Sequence, residues 1–341
     1  MSTQPAQHAP AAEKLWDYEA VQPGQAGAAT VVTLTPENIA DYAHVAQNPD
    51  PRFRATAKNA EFGGALAAMP TMILTYSPLM RPEIAAHQGF VALEDSTTAR
   101  RQTPFAKCEV CWFKPVLAGD TLTSSRGVLE KYERRGSRFV TFRIEATNQR
   151  GEAVARYDYT CIFSYAKGQQ SVPSDAQTAK PPAAPVEATV TTPVTPRVLT
   201  FDTTHIGDAL VPLSITESVQ VMLRKNDLRL AGKHRPSNIH TDEEFARQNI
   251  FGGMVNSGPA TLSYVDQMLL QSFPLRSFYD GGRLLMRAIT PFRSGDTVTF
   301  TGAVTGKRVE AGKKFVDCRV RGHNQRGELV CLSDAMMAMS G

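Results

Sequence analysis

The chain has 341 residues, of which 42% are hydrophobic and 21% are charged. This length predicts two domains, each large enough to bury a core without disulfides or a metal ion. The net charge of +4 comes without a Lys/Arg run, which argues against nucleic-acid binding but suits either a small polyanionic ligand or ordinary solvated surface. The most apolar stretch, Phe62–Met80, is interrupted by two Gly and two Pro and is too broken for a membrane span.

The N-terminus and the cysteines indicate the compartment. Met1–Lys14 has no apolar stretch of the kind a signal peptide needs, and the number of cysteines is odd. We therefore expect a reduced, cytoplasmic protein. Cys108 and Cys111 have the spacing of zinc ligands, but no second pair or His cluster completes a site, so no metal is expected. The thiols are predicted to be strand residues: Cys108, Cys111, Cys161, Cys318 and Cys331.

In chain order, two helices and a run of strands are predicted in the first half. Thr35-Pro36-Glu37 is a helix-start pattern and predicts a helix over Asn38–Ala46. Phe62-Gly63-Gly64 then introduces Ala65–Met80, an apolar segment long enough to predict a buried helix. Alternating residues rich in Val, Phe, Thr and Tyr predict four strands, over Glu109–Pro115, Asp120–Arg134, Phe139–Asn148 and Ala153–Tyr165.

The second half repeats the first. Shifted by 176 positions, Pro115–Val154 aligns without a gap with Pro291–Val330, and 17 of these 40 positions are identical. A repeat of that length indicates two copies of one structural unit. The helices that precede the strands of the second copy are predicted over Ser218–Arg224 and Met254–Leu270. Hairpin turns with Gly are predicted at Asn148–Gly151 and Asn324–Gly327.

The segment between the two copies is rich in Pro, Ala and Thr and contains no aromatic residue, which predicts a linker. The predicted organisation is a first unit over residues 1–165, the linker over residues 166–197, and a second unit over residues 198–341. Each unit is expected to be α+β, with a bent antiparallel sheet wrapped around one long helix. The two sheets are expected to join side by side.

The second copy carries the residues that indicate a function. It contains Pro236-Ser-Asn-Ile-His-Thr-Asp-Glu-Glu-Phe-Ala246, followed by Phe251-Gly-Gly-Met-Val-Asn-Ser-Gly258. This pattern resembles the signature of the MaoC-like (R)-specific enoyl-CoA hydratase/dehydratase family, and the repeat resembles its double-hotdog members. The resemblance implies a double hotdog fold and a hydro-lyase that adds or removes water at C2–C3 of an enoyl-CoA thioester. CoA would arrive with the substrate, so no separate cofactor is implied.

The resemblance assigns two catalytic positions. His240 corresponds to the catalytic histidine of the family, and Gly258 to the glycine whose N–H, at the start of the central helix, holds the thioester oxygen. Hydration of an enoyl thioester needs a base for the water and a donor where charge develops on the carbonyl oxygen. A helix N-terminus supplies such a donor. The alternatives are a core or surface role for His240 and tight packing before Pro259 for Gly258.

The sequence departs from the family pattern before His240. The catalytic aspartate of the family would stand five residues earlier, where this chain has Arg235. Asp227 is the candidate carboxylate if the longer loop folds back. At the helix start, Asn256-Ser257 replaces the family's Ala-His and resembles the mesaconyl-CoA hydratase branch, whose substrate carries a second carboxylate.

Two groups of residues are expected to bind the substrate. Those within the motif are Asn238, Gly253, Asn256 and Ser257. The others form a basic cluster before the motif that would suit the pyrophosphate or 3′-phosphate of CoA. Its predicted ligands are Lys233, His234 and Arg235, close in sequence to Arg224 and Lys225. A solvated loop is the alternative interpretation of the cluster.

The first copy has no histidine in the corresponding loop, Gln47–Phe53, and is predicted to be catalytically silent. Two other functions stay open. The missing aspartate would suit a non-catalytic acyl-thioester-binding protein, and some hotdog proteins are thioesterases. An acyl-CoA thioester is the expected partner, with no nucleic acid or membrane, and a homodimer is one possible assembly.

Overall fold

The structure, a computed structural model, describes residues 13–167, 169, 198–235 and 237–339. The predicted linker over residues 166–197 lies almost wholly outside these residues. Each half has a short strand followed by helical segments and ends with four strands of one sheet, so the α+β architecture predicted from the repeat is confirmed.

The first half contains seven strands, three α-helices and three 3-10 turns in its described part. The strands are β1 Leu15–Trp16, β2 Thr30–Thr33, β3 Val91–Ala92, β4 Phe105–Trp112, β5 Thr121–Arg134, β6 Ser137–Thr147 and β7 Ala153–Ser164. The helices are α1 Pro36–Val45, α2 Ile73–Tyr76 and α3 Arg81–His87, and the 3-10 turns are Pro51–Phe53, Ala60–Phe62 and Pro70–Met72.

In its described part, the second half has five strands and four helices. The strands are β8 Leu213–Thr216, β9 Arg283–Ala288, β10 Thr297–Glu310, β11 Lys313–Asn324 and β12 Leu329–Met339. The helices are α4 Val219–Asp227, α5 Glu243–Arg247, α6 Gly258–Leu270 and α7 Arg276–Tyr279.

A single ten-stranded antiparallel sheet joins the two units. Its strand order is β2-β5-β6-β7-β4-β9-β12-β11-β10-β8, so the second half of the sheet mirrors the first. The join is the pairing of β4 with β9, with a register that runs from Lys107 opposite Arg287 to Cys111 opposite Arg283. The side-by-side joining of the sheets is therefore confirmed, and residues from both units are brought next to this central pair of strands.

The repeated turns confirm the hairpins predicted from the sequence. Gly151 and Gly327 have φ angles of 75° and 80°, which side chains other than Gly rarely adopt. The amide of Asn148 donates to Glu152 at 2.8 Å, and the amide of Asn324 makes the equivalent bond at 2.7 Å. The same local hydrogen bonds thus close the same turn in both copies.

The long helix of the second unit, α6, is buried on all sides. Every residue from Ala260 to Leu270 is buried, and the helix packs against β4, β8 and β10. The prediction that it begins at Met254 is wrong by four residues. Val255 and Asn256 use their backbone N–H groups to bond Ile239 and Phe292, so this stretch is held outside the helix.

The corresponding helix of the first unit is broken, and the prediction of a long helix over Ala65–Met80 is wrong. The segment forms a 3-10 turn followed by the four-residue α2. Pro78 explains why the helix ends, because the residue before a proline is disfavoured in the α conformation. Ser77 precedes it and has φ −128° and ψ 62°, outside the helical region. Sequence hydrophobicity predicted burial here, but it did not predict the length of the helix.

The two units are also held together by buried polar contacts around α6. The carboxylate of Asp266 accepts from the backbone N–H of Thr71 at 3.0 Å and from its hydroxyl at 2.6 Å. Gln267 donates to the carbonyl of Ala46 at 2.7 Å, and Tyr279 donates to the carbonyl of Ala68 at 2.7 Å. These bonds fix α6 and α7 of the second unit against the first unit.

All five cysteines are free and lie in strands, as predicted: Cys108, Cys111, Cys161, Cys318 and Cys331. Among the helices in the described ranges, none combines the length and the apolar character that a bilayer crossing requires. Within the same ranges, no group of three or more His, Cys, Asp or Glu residues could hold a metal ion.

Asp266 makes a pH-dependent contribution to stability. Burial raises its pKa to about 7, whereas an unfolded Asp titrates near 3.9. Its contribution is therefore fully present below about pH 4 and is lost as the pH rises through 7. We expect the free energy of unfolding of the wild type to fall across this window, by an amount on the order of 1.4 kcal/mol for each pKa unit. Asp266→Asn should flatten that slope in urea unfolding at a series of pH values, and equal slopes would contradict the assignment.

Candidate active site

His240 lies in a tight turn just before α5. The side-chain oxygen of Asn238 accepts from the backbone N–H of His240 at 2.8 Å, and the backbone carbonyl of Asn238 accepts from Thr241 and Asp242. The neighbouring Ile239 is buried against Phe245 and Val255 in a small apolar cluster. The turn and this cluster together fix the position of the imidazole.

The imidazole of His240 is held as a neutral base. Its Nδ1 lies 2.7 Å from the carbonyl oxygen of Val255. A carbonyl only accepts, so Nδ1 carries the proton and Nε2 keeps a lone pair. Burial lowers the pKa of His240 to about 4, because it penalises the charged form. The ring is therefore neutral at physiological pH, with Nε2 available to accept a proton.

Two cavities meet at His240 and Asn256, which line both. The first, called here the inter-helix cavity, lies between α1, α4 and α6 and is lined by residues such as Tyr42, Lys225 and Ser263. The second, called the apolar cavity, is lined by Gly258 and by Phe105, Phe139, Ile239, Met286 and Phe292, among others. A ligand that reached Nε2 of His240 would therefore lie between a compartment of mixed polarity and an apolar one.

The start of α6 leaves one free backbone donor at this junction. Ser257 caps the helix by accepting from Ala260 N–H at 3.3 Å, and its carbonyl accepts from Thr261. Pro259 has no N–H. Of the first-turn donors, only the N–H of Gly258 has no acceptor among the described residues. This N–H and the positive end of the helix dipole are suited to an oxyanion.

Asn256 offers a second donor. Its side-chain oxygen accepts from the backbone N–H of Ser257 at 2.9 Å, which fixes the orientation of the amide. Its Nδ2 is buried and has no hydrogen-bond partner among the described residues. An unsatisfied buried donor costs roughly 1–3 kcal/mol, so an arriving acceptor from water or substrate would be favoured there.

The structure does not bring Asp227 to His240. Asp227 is the last residue of α4, its side chain is 67% exposed, and its carboxylate lies 3.0 Å from Nε2 of His234. Neither Asp227 nor His234 lines any of the cavities near the site. No Asp or Glu among the described residues lines either cavity that meets at His240. The prediction that Asp227 partners His240 is thus not supported by the geometry, because α4 ends with its last side chain turned to the surface.

The other basic residues separate into two environments. Lys233 and Arg235 line a third cavity, called the arginine-rich cavity, together with Arg81, Arg100 and Arg229. There Arg235 pairs with Asp95 and Glu83, which occupies its guanidinium. Lys225, which the sequence placed in an exposed basic cluster, is instead almost buried in the inter-helix cavity, and Arg224 stays exposed on the outside of α4.

The remaining motif residues mainly shape the site. Asn238 supports the turn of His240 and donates to the side chain of Asn226 at 2.9 Å. Gly253 is buried and lines none of the three cavities, so its predicted contact with substrate is not supported. Ser257 lines the inter-helix cavity as the helix cap.

The sequence analysis missed the residues that hold the Phe-Gly-Gly loop. Arg293 donates to the carbonyl of Phe251 at 2.5 Å, and Glu243 accepts from the N–H of Met254 at 3.1 Å. It also missed Phe105, whose ring in β4 of the first unit lies against Gly258. The repeat gave no signal for these contacts, because they join segments far apart in the chain.

The first copy has no counterpart of either His240 or Gly258. Aligned on Phe-Gly-Gly, Gly258-Pro259 corresponds to Met69-Pro70, and Met69 is fully buried. The Met69 side chain fills the space at the start of the broken helix, where its sulfur accepts from the amide of Asn48 at 3.4 Å. This is the physical basis for the proposal that the first copy is silent.

The fold and the site define a double-hotdog protein with a dehydratase-like site in its second unit. Comparison with known families gives the same result: residues 229–324 match the MaoC-like domain, and residues 22–157 match the FAS1-like dehydratase domain region. The second half of the chain thus carries a MaoC-like domain, and the first half resembles a FAS1-like dehydratase region. No curated protein sequence matches it.

Solved structures are similar over almost the whole chain. A MaoC-like dehydratase is 18% identical with a TM-score of 0.67, and the match covers 93% of this chain and 99% of that one. A MaoC domain protein from Chloroflexus aurantiacus is 14% identical with a TM-score of 0.63, covering 98% and 100%. A Mycobacterium tuberculosis protein described as having a double hotdog fold is 12% identical with a TM-score of 0.56, covering 95% and 98%. These likenesses support the fold.

The contact between Gly258 and Phe105 predicts a cost for any side chain at the helix start. A methyl group on Gly258 would come within 2.3 Å of the Phe105 ring, so Gly258→Ala should destabilise the protein by about 1–3 kcal/mol through overpacking. In a Phe105→Ala background the same change should cost much less. Urea unfolding of the two single variants and the double variant measures this coupling, and an equal cost in both backgrounds would contradict the contact.

Proposed function

We propose that the chain is an acyl-CoA hydratase/dehydratase that adds or removes water at C2–C3 of an enoyl-CoA thioester. The observation that carries the proposal is the convergence of three groups at one junction. These are the free Nε2 of His240, the free N–H of Gly258 and the unpartnered amide of Asn256. The match of residues 229–324 to the MaoC-like domain supports a role of this class.

In the proposed reaction, His240 acts as the base. Nε2 accepts a proton from a water molecule as the water oxygen bonds to C3 of the enoyl group. The C2=C3 electrons move towards the thioester carbonyl, whose oxygen gains negative charge. The N–H of Gly258 stabilises this oxygen, and the amide of Asn256 donates to the water or to the carbonyl. Delivery of a proton to C2 and loss of the proton held on Nε2 complete the addition and restore His240.

The coenzyme is proposed to bind at the arginine-rich cavity. It shares Arg229 and Tyr159 with the inter-helix cavity, so a ligand can extend from one to the other. Lys233 is exposed and has no ion-pair partner among the described residues, and it suits a phosphate of CoA. Arg235 is a weaker candidate because it is already paired with Asp95, and His234 lines none of the three cavities.

Assays with different CoA thioesters also test the substrate branch and a second candidate function. The mesaconyl-CoA-like branch rests only on Val255-Asn256-Ser257, and mesaconyl-CoA is the direct test of it. The second candidate function is a non-catalytic acyl-thioester-binding protein. It is favoured by one observation, that no carboxylate from the described residues lines either cavity at His240. Binding without turnover would establish it, and release of free CoA would indicate a thioesterase.

His240→Gln is expected to lower kcat/KM for hydration by about 100-fold or more, since it removes the base. The assay follows loss of the conjugated absorbance of crotonyl-CoA, mesaconyl-CoA and longer enoyl-CoA substrates. Because the pKa of His240 lies near 4, kcat/KM of the wild type should fall with decreasing pH only well below the usual histidine range.

Matched controls are available on the surface. His234→Gln and Asp227→Asn remove the exposed pair that lines none of the three cavities, and both should keep wild-type kinetics. If His240→Gln were as active as the parent, or if no substrate reacted with the wild type, the proposal would be wrong. Calorimetric titration with a saturated acyl-CoA separates an inactive binder from a protein without affinity for thioesters.

Lys233→Gln should raise KM for CoA thioesters two- to five-fold and leave kcat unchanged, as expected for one exposed ion pair of about 0.2–1 kcal/mol. The effect should shrink at high salt. With an N-acetylcysteamine thioester, which has no phosphates, the variant should match the wild type. Lys313→Gln, in a distant exposed hairpin, is the control. An equal change with both thioesters would remove Lys233 from the coenzyme site.

A further inference from the structure

The inter-helix cavity contains a buried ion pair that the proposed chemistry has not yet used. Lys225 of α4 is only 11% exposed, and its ammonium lies 3.0 Å from the carboxylate of Glu217, whose side chain is fully buried. Lys225 also contacts the hydroxyl of Tyr264, which donates to Glu217 at 2.9 Å and accepts from Gln47. Burying an ion pair costs several kcal/mol for each ion before the pairing is gained, so a pair on a cavity wall calls for an explanation.

The ammonium of Lys225 is not fully satisfied by the protein. It has three N–H donors, and Glu217 and Tyr264 accept two of them. No further acceptor is present among the described residues. Lys225 and His240 both line the inter-helix cavity, so the remaining donor belongs to a group that borders the space open to substrate.

Few groups on this cavity can transfer a proton near neutral pH. No described carboxylate lines it, and its other titratable residues are Tyr42, Tyr159 and Arg229. Burial raises the pKa of both tyrosines far above neutrality, and Arg229 remains a cation. Burial lowers the pKa of Lys225 to about 8, although Glu217 opposes the shift. This leaves His240 and Lys225 as the two groups able to exchange protons with a bound substrate.

We propose that Lys225 is the second acid–base group of the site and takes the place of the aspartate that the family pattern would require. The inference rests on the proposed hydratase function. His240 takes a proton from water as the C3–O bond forms, and the enolate pair at C2 takes a proton from the Lys225 ammonium. The amine stays hydrogen-bonded to Glu217 and Tyr264. The proton on His240 then returns to Lys225 through water, which restores both groups.

The charged residues around Lys225 allow a test, because removing a positive or a negative neighbour should shift the pKa of Lys225 in opposite directions. Glu217, in the loop after β8, and Tyr264 of α6 contact the ammonium directly. Tyr42, His240 and Arg229 line the same cavity, and Gln47 of the first unit donates to Tyr264. The like charge of exposed Arg224 lowers the pKa of Lys225 and the opposite charge of Glu217 raises it. An acid must be protonated to act, so kcat/KM for hydration should fall above about pH 8.

The experiment measures kcat/KM for hydration against pH in the wild type and three variants. Glu217→Gln should move the fall of kcat/KM at alkaline pH, called here the alkaline limb, to lower pH. Arg224→Gln should move this limb to higher pH, and Lys225→Arg should remove it. Arg224→Gln lies on the surface and keeps the buried pair, so it stays informative if the buried variants do not fold. Thermal unfolding of each variant checks the fold.

The outcomes separate the two proposals. Opposite shifts of the limb support Lys225 as the acid. A limb that none of the variants moves, or a Lys225→Arg variant that changes only KM, overturns this inference and leaves the hydratase function standing. If the wild type hydrates no enoyl thioester, both the function and the inference fail.

Discussion

The pairing of β4 with β9 is the contact on which the site depends. It joins the two sheets edge to edge and places Phe105 of the first unit against the start of α6 in the second. Phe105 is the first residue of β4, so the strand that joins the units also supplies a wall of the apolar cavity. A single unit would lack this wall and the first-unit side of the inter-helix cavity. The duplication is therefore a structural requirement of the site in the second unit.

Local geometry at the site arises from backbone groups rather than from long-range charge. The carbonyl of Val255 fixes the tautomer of His240, and the N–H of the same residue bonds Ile239 in the His240 turn. Val255 therefore links the His240 turn to the segment before α6 through two hydrogen bonds. Burial then sets the protonation states, lowering the pKa of His240 and of Lys225 in the same cavity.

The sequence predicted much of the fold because the repeat preserves turns. Glycines that need a positive φ, such as Gly151 and Gly327, cannot be replaced without strain, so the hairpins could be read from the chain. Hydrophobicity predicted α6 but not the break in the first-unit helix, since apolar residues bury equally well in short helical turns. Pro70 and Pro78 are the sequence feature that marks the breaks in this segment.

The site could be predicted only where it is local in sequence. His240, Asn256, Ser257 and Gly258 lie in one motif, and the structure brings them together. The carboxylate partner was assigned by proximity along the chain, and the end of α4 directs Asp227 outwards instead. Lys225, two residues earlier on the same helix, points to the interior, and helical periodicity of 3.6 residues per turn separates these two faces. No pattern in the chain indicated that Glu217 and Tyr264 would hold it.

The central claim is that His240 is a neutral base with its proton on Nδ1 and a free Nε2. Nitrogen-15 NMR of the labelled imidazole tests it directly, because the two ring nitrogens report tautomer and pKa separately. The account predicts the Nδ1–H tautomer with a pKa near 4, which His240→Gln would remove from the spectrum. An Nε2–H tautomer, or a pKa near the ordinary value of about 6.5, would contradict it.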